Sequence, residues 1–202
     1  MLLLIICSPS GAGKSTLTRH LMSSFDGLAF SVSHTSRPPR GKEQDGVQYH
    51  FIDRPRFEAM IAAGEFLEWA DVHGNLYGTS LAEIARAESD GKRGILFDVD
   101  YQGARQIRAK RDDAVGVFVL PPSMDELYRR LERRAEDTPE VIAKRFAKAR
   151  EEIGHYASFD YLLVNDDLVE AQKNLEGIVR AELTRRPHHA GFAEQLLGSF
   201  RD

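Results

Sequence analysis

Short apolar runs alternate along the chain with stretches whose apolar residues recur three or four positions apart. The short runs are typical of buried strands, and the wider spacing is typical of helices. These patterns predict strands over Leu2–Cys7, Leu28–Val32, Val47–Ile52, Glu65–Val72, Ile95–Val99, Val115–Leu120 and Tyr161–Val164. They predict helices over Thr16–Ser24, Arg56–Ala63 and Ser80–Ser89, and in the segments that begin near Ser123, Thr138 and Leu168. Strands separated by helices indicate an α/β fold, with a mainly parallel sheet covered by helices on both faces.

Two stretches depart from this alternation and divide the predicted fold. From about Ser33 to Leu81 the strands crowd together with little helix between them, and from about Pro121 to Gly154 two helices follow each other without a strand. We therefore predict four parts: a core made of residues 1–32, 81–120 and 155–186, an inserted subdomain at 33–80, a helical lid at 121–154, and a tail at 187–202.

The composition is that of an ordinary water-soluble globular protein. Of the 202 residues, 42% are hydrophobic and 29% are charged, and the formal net charge is −4. Without a basic excess, neither nucleic acid nor a membrane surface is expected as a partner, and any anion site must be built locally. The single cysteine, Cys7, excludes an intrachain disulfide framework and fits a reducing compartment. The run Leu2–Cys7 is too short to cross a bilayer and lacks a basic leader, so we predict a cytoplasmic location.

A glycine-rich segment joins the first predicted strand to the first predicted helix, Ser8-Pro9-Ser10-Gly11-Ala12-Gly13-Lys14-Ser15-Thr16. In that context backbone N–H groups and a helix N-terminus converge on phosphate oxygens, which predicts a P-loop for a nucleoside triphosphate. Lys14 can reach the outer phosphates. The residues assigned to the triphosphate are Ser10, Gly11, Ala12, Gly13, Lys14, Ser15 and Thr16. The alternative is a turn that only connects strand to helix.

Two carboxylates, Asp98 and Asp100, stand at the end of the apolar strand Ile95–Val99. Open α/β sheets bind ligands at the carboxyl ends of their strands. A carboxylate there can organise the waters around Mg²⁺, to which the Ser15 hydroxyl can also coordinate. Mg²⁺ is therefore the predicted cofactor, at Ser15 and Asp98 and partly through water. The alternative is a pair of solvated aspartates that open a turn.

The predicted insert carries a candidate site for a second phosphate. Arg37 and Arg40 lie in a loop that contains two prolines, so two guanidinium groups could be held in place for one phosphate. Tyr49 and Tyr77 could donate hydroxyl protons to the same group. The alternatives are a solvated basic loop for the arginines and packing roles for the tyrosines.

A carboxylate is unexpected in the apolar segment Phe66-Leu67-Glu68-Trp69. One explanation is a half-exposed position at a sheet edge. The other is that Glu68 reads a base, because the Watson–Crick edge of guanine presents two adjacent donors and an ionised carboxylate only accepts. Adenine would place an acceptor against the same carboxylate and leave a buried charge unpaired, which would reject it strongly.

Together these segments resemble one known family, the guanylate kinases. The resemblance runs from about Leu2 to Arg186 and rests on the motifs Pro-Ser-Gly-Ala-Gly-Lys-Ser from Pro9, Ser33-His34-Thr35-Ser36-Arg37-x-x-Arg40-x-x-Glu43, Glu68-Trp69, Tyr77-Gly78-Thr79, Asp98-Val99-Asp100-Tyr101-Gln102-Gly103 and Val164-Asn165-Asp166-Asp167. It implies a P-loop NTPase-like core with a GMP-binding insert and a helical lid. It also implies transfer of the γ-phosphoryl group of ATP to GMP, and to dGMP, in purine nucleotide metabolism.

The resemblance also implies a set of substrate contacts. ATP would bind at the P-loop and near Asn165. The phosphate of GMP would meet Arg37, Arg40, Tyr49 and Tyr77, and its base Ser33, Glu68, Thr79 and Asp100. The GMP-binding set is completed by Glu43 and Asp98. Small-molecule substrates are thus the expected partners, and the sequence leaves the oligomeric state open.

The predicted lid has an excess of cations. From Tyr128 to Arg150 there are six arginines and two lysines against four acidic residues. Arg130, Arg134 and Arg145 align with the family's catalytic lid arginines. Together with Lys14 of the P-loop they form the predicted catalytic set, and the arginines would bind the charge spreading over the transferring phosphoryl group. A solvated charged face is the alternative. A phosphate acceptor is largely ionised at pH 7, so no general base is required.

The chain departs from the family pattern in three places. Ser8 replaces the usual first glycine of the P-loop, and a positive φ there would cost about 1–2 kcal/mol. Glu132-Arg133-Arg134-Ala135 replaces a lid motif with two glycines, which bears on lid flexibility but not on its charge. The tail beyond Arg186 has no counterpart in the pattern.

Two other functions stay open at the level of sequence. A non-catalytic module of the same fold would bind phosphorylated peptides at the GMP site, but it would need neither Lys14 nor lid arginines. A related P-loop kinase could use another phosphorylated acceptor, such as a ribose phosphate, and Glu68 with Ser33 and Asp100 argues instead for a base in the pocket.

Overall fold

The computed structural model describes residues 1–72, 74–133 and 138–199. Its strands are β1 (Leu2–Cys7), β2 (Leu28–Phe30), β3 (His34–Thr35), β4 (His50–Phe51), β5 (Phe66–Val72), β6 (Asn75–Ser80), β7 (Gly94–Asp98), β8 (Val115–Leu120) and β9 (Tyr161–Val164). Its helices are α1 (Lys14–Ser24), α2 (Arg54–Ala62), α3 (Leu81–Ser89), α4 (Tyr101–Lys110), α5 (Met124–Glu132), α6 (Pro139–Ile153), α7 (Leu168–Leu183) and α8 (Ala190–Ser199). Among these described helices, none combines the length and the apolar character needed to span a membrane.

A five-stranded parallel sheet in the order β2-β7-β1-β8-β9 forms the centre of the molecule. Successive residues of the central strand β1 point to opposite faces. Leu4 and Ile6 join a core that includes Leu17 of α1 and Leu175 of α7, whereas the neighbouring Ile5 joins a second core with residues of α3 and α4. Because both faces are covered, the whole strand is apolar, which is the pattern expected of a parallel sheet. The predicted α/β class is confirmed.

The insert forms a second sheet in the order β4-β3-β6-β5. Here β6 pairs antiparallel with both β3 and β5, and β4 pairs parallel with β3. Helix α2 begins where the Asp53 carboxylate accepts the Arg56 N–H at 2.8 Å, a side-chain cap. It covers the sheet with Phe57, which is fully buried and stacks on Phe66 with ring centroids 4.4 Å apart. The insert therefore has a small core of its own.

Helices α5 and α6 form a hairpin with a separate apolar cluster of Leu127, Leu131, Ile142 and Ala149. The Ser123 hydroxyl accepts the Glu126 N–H at 3.1 Å and begins α5, as the Ser-x-x-Glu pattern predicts. Residues 134–137, between the two helices, lie outside the described residues.

Several predicted elements differ from the structure. The predicted strand Val47–Ile52 is wrong except at β4, because the Gly46 N–H bonds the Tyr49 carbonyl and folds this segment into a turn, leaving Val47 exposed. Strand β6 and helices α4 and α8 were not predicted. Helix α4 buries small residues, Gly103 and Ala104, with Ile107, so it lacks the large apolar stripe by which helices are recognised.

Replacing Phe57 with alanine should destabilise the insert by about 3–5 kcal/mol, because a large cavity opens in a small core. Urea unfolding can be followed by fluorescence of the single tryptophan, Trp69, which lies in β5. Phe192→Ala is the matched control, since Phe192 is 62% exposed on α8, and a change within about 0.5 kcal/mol is expected there. Equal effects of the two substitutions would contradict the assignment of a separate core.

Candidate active site

The phosphate loop runs from the carboxyl end of β1 to the start of α1. Gly11 and Gly13 have φ angles of 93° and 97°, a left-handed conformation that glycine adopts without strain. Helix α1 begins at Lys14, and its first turn contains no acidic residue and no side-chain cap. Its amino-terminal N–H groups and positive dipole end are therefore available to an anion, as phosphate binding requires.

Asn165, the residue after β9, holds this loop through a hydrogen bond to its backbone. Its buried amide donates to the Ala12 carbonyl at 2.8 Å. A Cβ atom on Gly13 would lie 2.2 Å from the Asn165 Nδ2, so the loop also needs glycine there for close packing. Because the Asn165 side chain is buried against the loop backbone, the structure places it where it shapes the loop.

Lys14 forms an ion pair with Asp98, the last residue of β7. The strands β1 and β7 are adjacent and parallel, with Ile6 opposite Asp98, so the P-loop and the aspartate meet at one edge of the sheet. Burial lowers the pKa of Lys14 below its usual value, while nearby negative groups such as Asp100 and Glu152 oppose that effect. Ser15 follows on the exposed first turn of α1.

A cavity of about 130 Å³ lies between the insert and the end of β7. The residues that line it come from both sheets: Ser33, Tyr49, Glu68, Ala70, Val72, Tyr77, Gly78, Asp98, Val99 and Asp100. Thr79 adjoins this set, with its hydroxyl oxygen 3.3 Å from that of Ser33. Asp98 thus borders this cavity and also pairs with the P-loop lysine.

Glu68 is buried, with 6% of its surface exposed, at a bulge of β5 opposite Thr79. The half exposure considered from sequence is therefore wrong, although β5 is an edge strand of its sheet. Burial raises the pKa of its carboxyl to about 7, and hydrogen bonds from Thr79 offset this only in part. On the other side, a Cβ atom on Gly103 would lie 3.0 Å from the Glu68 Oε2, so α4 approaches the carboxylate closely. Asp100 caps that helix by accepting the N–H groups of Gln102 and Gly103, each at 3.0 Å.

Arg37 is held by several partners. Its guanidinium donates to both carboxylate oxygens of Glu43, at 2.6 and 2.7 Å, and its Nε donates to the Tyr77 hydroxyl at 3.2 Å. The guanidinium carbon lies 5.1 Å from the centre of the Tyr49 ring. The pairing lowers the pKa of Glu43 to about 2. Glu43 also accepts the backbone N–H of Arg40 at 2.7 Å, and the Arg40 side chain is exposed.

Comparison with known proteins groups the chain with one family. The guanylate kinase model matches residues 1–182. The chain is 47% identical over 199 residues to a guanylate kinase of Dechloromonas aromatica, covering 96% of this chain and 98% of that protein. It is 49% identical over 200 residues to one of Agrobacterium fabrum, covering 97% and 90%. The chain belongs to the guanylate kinase family.

A solved structure agrees with this assignment. The crystal structure of guanylate kinase from Anaplasma phagocytophilum matches with a TM-score of 0.75 at 32% identity, over 98% of this chain and 95% of that one. The predictions of family, fold class and nucleoside monophosphate kinase activity are confirmed. The assignment of individual residues to ATP, GMP and Mg²⁺ stays a prediction.

Within this kinase fold the lid hairpin rests on the phosphate loop. Arg130 of α5 donates to Glu126 at 2.9 Å and to the Asn165 carbonyl at 3.1 Å, so it reaches the edge of the P-loop. Arg145 lies half-buried on α6. Arg134, the third lid arginine predicted to be catalytic, lies outside the described residues.

Sequence reasoning did not single out two lid contacts. The buried Glu152 of α6 accepts the Ser10 N–H of the P-loop at 3.4 Å, and burial raises the pKa of its carboxyl. The Tyr101 hydroxyl of α4 donates to the Glu151 Oε1 of α6 at 3.1 Å, and the Tyr101 ring stacks on His155, just after the lid, with ring centroids 3.9 Å apart. The sequence signal for Glu152 is its place three residues after Ala149 on the apolar face of α6, which also carries Ile142. These contacts tie the end of the lid to the core.

Glu68→Gln should make the protein more stable at alkaline pH. The carboxyl titrates near 7 when folded and at 4.5 in the reference state, so ionisation favours the unfolded chain as pH rises from 4.5 through 7. The penalty reaches about 3 kcal/mol above pH 7 and vanishes below the unfolded pKa. Urea unfolding at pH 8 and pH 5 measures the difference. Glu65→Gln, at a nearby exposed position, is the control, and a pH-independent effect of Glu68→Gln would contradict this account.

Proposed function

We propose that this chain transfers the γ-phosphoryl group of ATP to GMP, with dGMP as a further acceptor, using the P-loop for ATP and the cavity of the insert for GMP. The observation that carries this assignment is the ion pair between Lys14 and Asp98. Lys14 belongs to the P-loop, and Asp98 lines the cavity of the insert. Donor and acceptor sites therefore share one wall, as direct transfer between two phosphates requires.

On the donor side, the loop from Ser10 to Thr16 would bind the triphosphate. The backbone N–H groups of the loop and of the start of α1 would supply the donors. Those of Ser10 and Ala12 would first have to leave Glu152 and the Pro9 carbonyl. Lys14 would exchange Asp98 for the outer phosphates when ATP binds. Asn165 would act through the Ala12 carbonyl, which it holds in place.

On the acceptor side, the phosphate of GMP would meet Arg37, Arg40, Tyr49 and Tyr77. Arg37 is already oriented by Glu43, Tyr77 and the Tyr49 ring, so little conformational entropy is lost on binding. A carboxylate and a phosphate repel each other, so within the predicted GMP-binding set Glu43 would position Arg37 and not touch the ligand itself.

The base would lie against Glu68, with Ser33, Thr79 and Asp100 around it. Glu68 and Asp100 line the cavity together with Ser33. An ionised Glu68 would accept from the two donors on the Watson–Crick edge of guanine and reject adenine. The same burial that strengthens this interaction raises the pKa of Glu68 to about 7, so the binding form of the pocket is fully present only above neutrality.

The chemistry needs alignment and charge neutralisation but no general base, since the acceptor phosphate is largely ionised at pH 7. Lys14 and the lid residues Arg130, Arg134 and Arg145 would bind the equatorial oxygens of the transferring group. Arg130 already lies next to the P-loop through its bond to the Asn165 carbonyl.

Mg²⁺ would be held by Ser15 and Asp98, partly through water. The donors present suit it, because Mg²⁺ prefers oxygen ligands and is usually bound by one or two protein groups together with substrate phosphates. Asp98 lies beside Lys14 at the end of β7, where the phosphates would meet it. When bound, the ion would neutralise charge on the phosphate oxygens. Dependence of turnover on added Mg²⁺ tests this part of the proposal.

The cytoplasmic location is part of the same proposal. Its support is that the chain has a single cysteine, Cys7, which fits a reducing compartment. This thiol is buried, and burial raises its pKa to about 12. Such a thiol is suited to a structural role in the core.

Lys14→Met should lower kcat at least 100-fold while leaving the affinity for GMP within a few-fold of wild type, because the lost charge acts on the donor phosphates and the transition state. A coupled assay of ADP release gives turnover, and calorimetry gives GMP binding. Arg19→Met, which removes an exposed cation from the same helix, is the matched control. Unchanged turnover in Lys14→Met would refute the P-loop assignment.

The KM for GMP should rise as pH falls below 7, by up to about tenfold per pH unit. The reason is that the O–H of a protonated Glu68 would face an N–H donor of guanine in place of an acceptor. Glu68→Gln should raise the KM for GMP and remove this part of the pH dependence, leaving only that of the GMP phosphate. The ratio of GMP to AMP turnover should fall as well. If the ratio and the pH profile both keep their wild-type form, Glu68 is not the residue that reads the base.

A further inference from the structure

A buried carboxylate that neither substrate site uses lies at the start of α3. Glu83 is 5% exposed. Its Oε2 accepts the Val32 N–H at 2.9 Å and the Arg86 Nη2 at 2.9 Å. Burial opposes its ionisation, but the bonds from Arg86 and Val32 hold the pKa of Glu83 below its usual range. A charge is costly to bury unless it is paired and hydrogen-bonded. Glu83 meets both conditions, through Arg86 and the Val32 N–H.

Val32 lies in the first of the two connections between the parallel sheet and the insert. The Ser31 N–H donates to the Leu96 carbonyl of the parallel sheet at 3.0 Å. The Ser33 carbonyl accepts the His50 N–H of the insert at 2.9 Å. Val32 is therefore the residue at which the chain leaves one sheet and enters the other, and Glu83 binds its backbone.

Glu83 also stands next to the second connection. Strand β6 of the insert ends at Ser80, and α3 begins at the following residue. From the insert itself, the His50 Nε2 lies 3.6 Å from the Glu83 Oε1. From the core, Arg86, the main partner of Glu83, also donates to the Phe30 carbonyl at the end of β2, at 3.1 Å. One carboxylate thus contacts groups on both sides of the junction.

The two connections carry residues of the acceptor pocket. Ser33 follows Val32, and Thr79 precedes Ser80, and their hydroxyl oxygens are 3.3 Å apart. We propose that Glu83 is a positioning residue for the acceptor: by holding the Val32 N–H against the start of α3, it sets the relative position of the two connections and so places Ser33 and Thr79 against the base. This inference rests on the proposed function, since those two side chains matter only where a guanine nucleotide binds.

Two replacements of nearly equal volume separate this role from packing. Gln at position 83 still offers an oxygen to the Val32 N–H, whereas Met fills the same space and offers only a weakly accepting thioether sulfur. Loss of a buried hydrogen bond to a charged group predicts a rise of roughly tenfold in the KM for GMP in Glu83→Met. In Glu83→Met the KM for ATP and kcat at saturating GMP should stay within about twofold of wild type. In Glu83→Gln the KM for GMP should equal that of wild type.

The matched control is Glu88→Met, an exposed glutamate of the same helix, which should leave all three constants unchanged. An unchanged KM for GMP in a folded Glu83→Met, or an equal rise for ATP and GMP, would overturn the proposal. If Glu83→Met does not fold, amide exchange in the wild-type chain without nucleotide decides. The Val32 N–H should exchange at least about 100-fold more slowly than in a free peptide, and exchange at the free-peptide rate would overturn the proposal.

The proposed function and the positioning role fail in different ways. A wild-type chain that turns over no GMP would refute the function. A wild-type chain that phosphorylates GMP, together with a folded Glu83→Met variant of unchanged KM for GMP, would refute only the role of Glu83.

Discussion

The parallel pairing of β1 with β7 is the constraint on which the rest of the site depends. Parallel strands end at the same edge of a sheet, so the loop after β1 and the carboxylates after β7 are brought together. The ion pair between Lys14 and Asp98 is the direct result. Every other part of the site is built outward from this edge: α1 behind the phosphate loop, the insert beside Asp98, and the lid hairpin next to the loop.

Charge is balanced in this site without substrates. Lys14 pairs with Asp98, Arg37 with Glu43 and Arg130 with Glu126. A desolvated cation without a partner is costly, and a paired one can exchange its carboxylate for a phosphate at little net loss. In the proposed reaction, substrate phosphates would take over cations that the fold has already oriented. Glu68 is the exception: its largest electrostatic effect is burial, which raises the pKa of its carboxyl to about 7, and the hydrogen bonds from Thr79 and the charge of Lys110 offset this only in part.

The motifs were more predictable than the elements that carry the remaining contacts. The sequence Gly13-Lys14-Ser15 predicts a phosphate loop, because a local backbone conformation and the start of a helix are sufficient to form one. Strand β6 was missed because Asn75–Ser80 contains a glycine and polar residues whose burial comes from pairing with β5. Helix α4 was missed because its buried face consists largely of small residues. Val47–Ile52 read as a strand from its own residues, and hydrogen bonds within a turn decided otherwise.

From the order of residues alone came the family, the parallel α/β class, the phosphate loop and the acidic residue suited to guanine. The family came from the resemblance of several motifs, in their order, to a known pattern. The other three follow from short-range chemistry: periodicity, turn residues and donor or acceptor type within a few positions. Only the folded chain decided that Glu68 is buried, that Asp98 pairs with Lys14 while lining the cavity of the insert, that Glu43 holds Arg37, and that Glu83 bridges the two sheets. Most of those facts depend on groups far apart in the chain, such as Lys14 with Asp98 and Val32 with Glu83, whose distance in space is set by sheet pairing and packing, which no local pattern records.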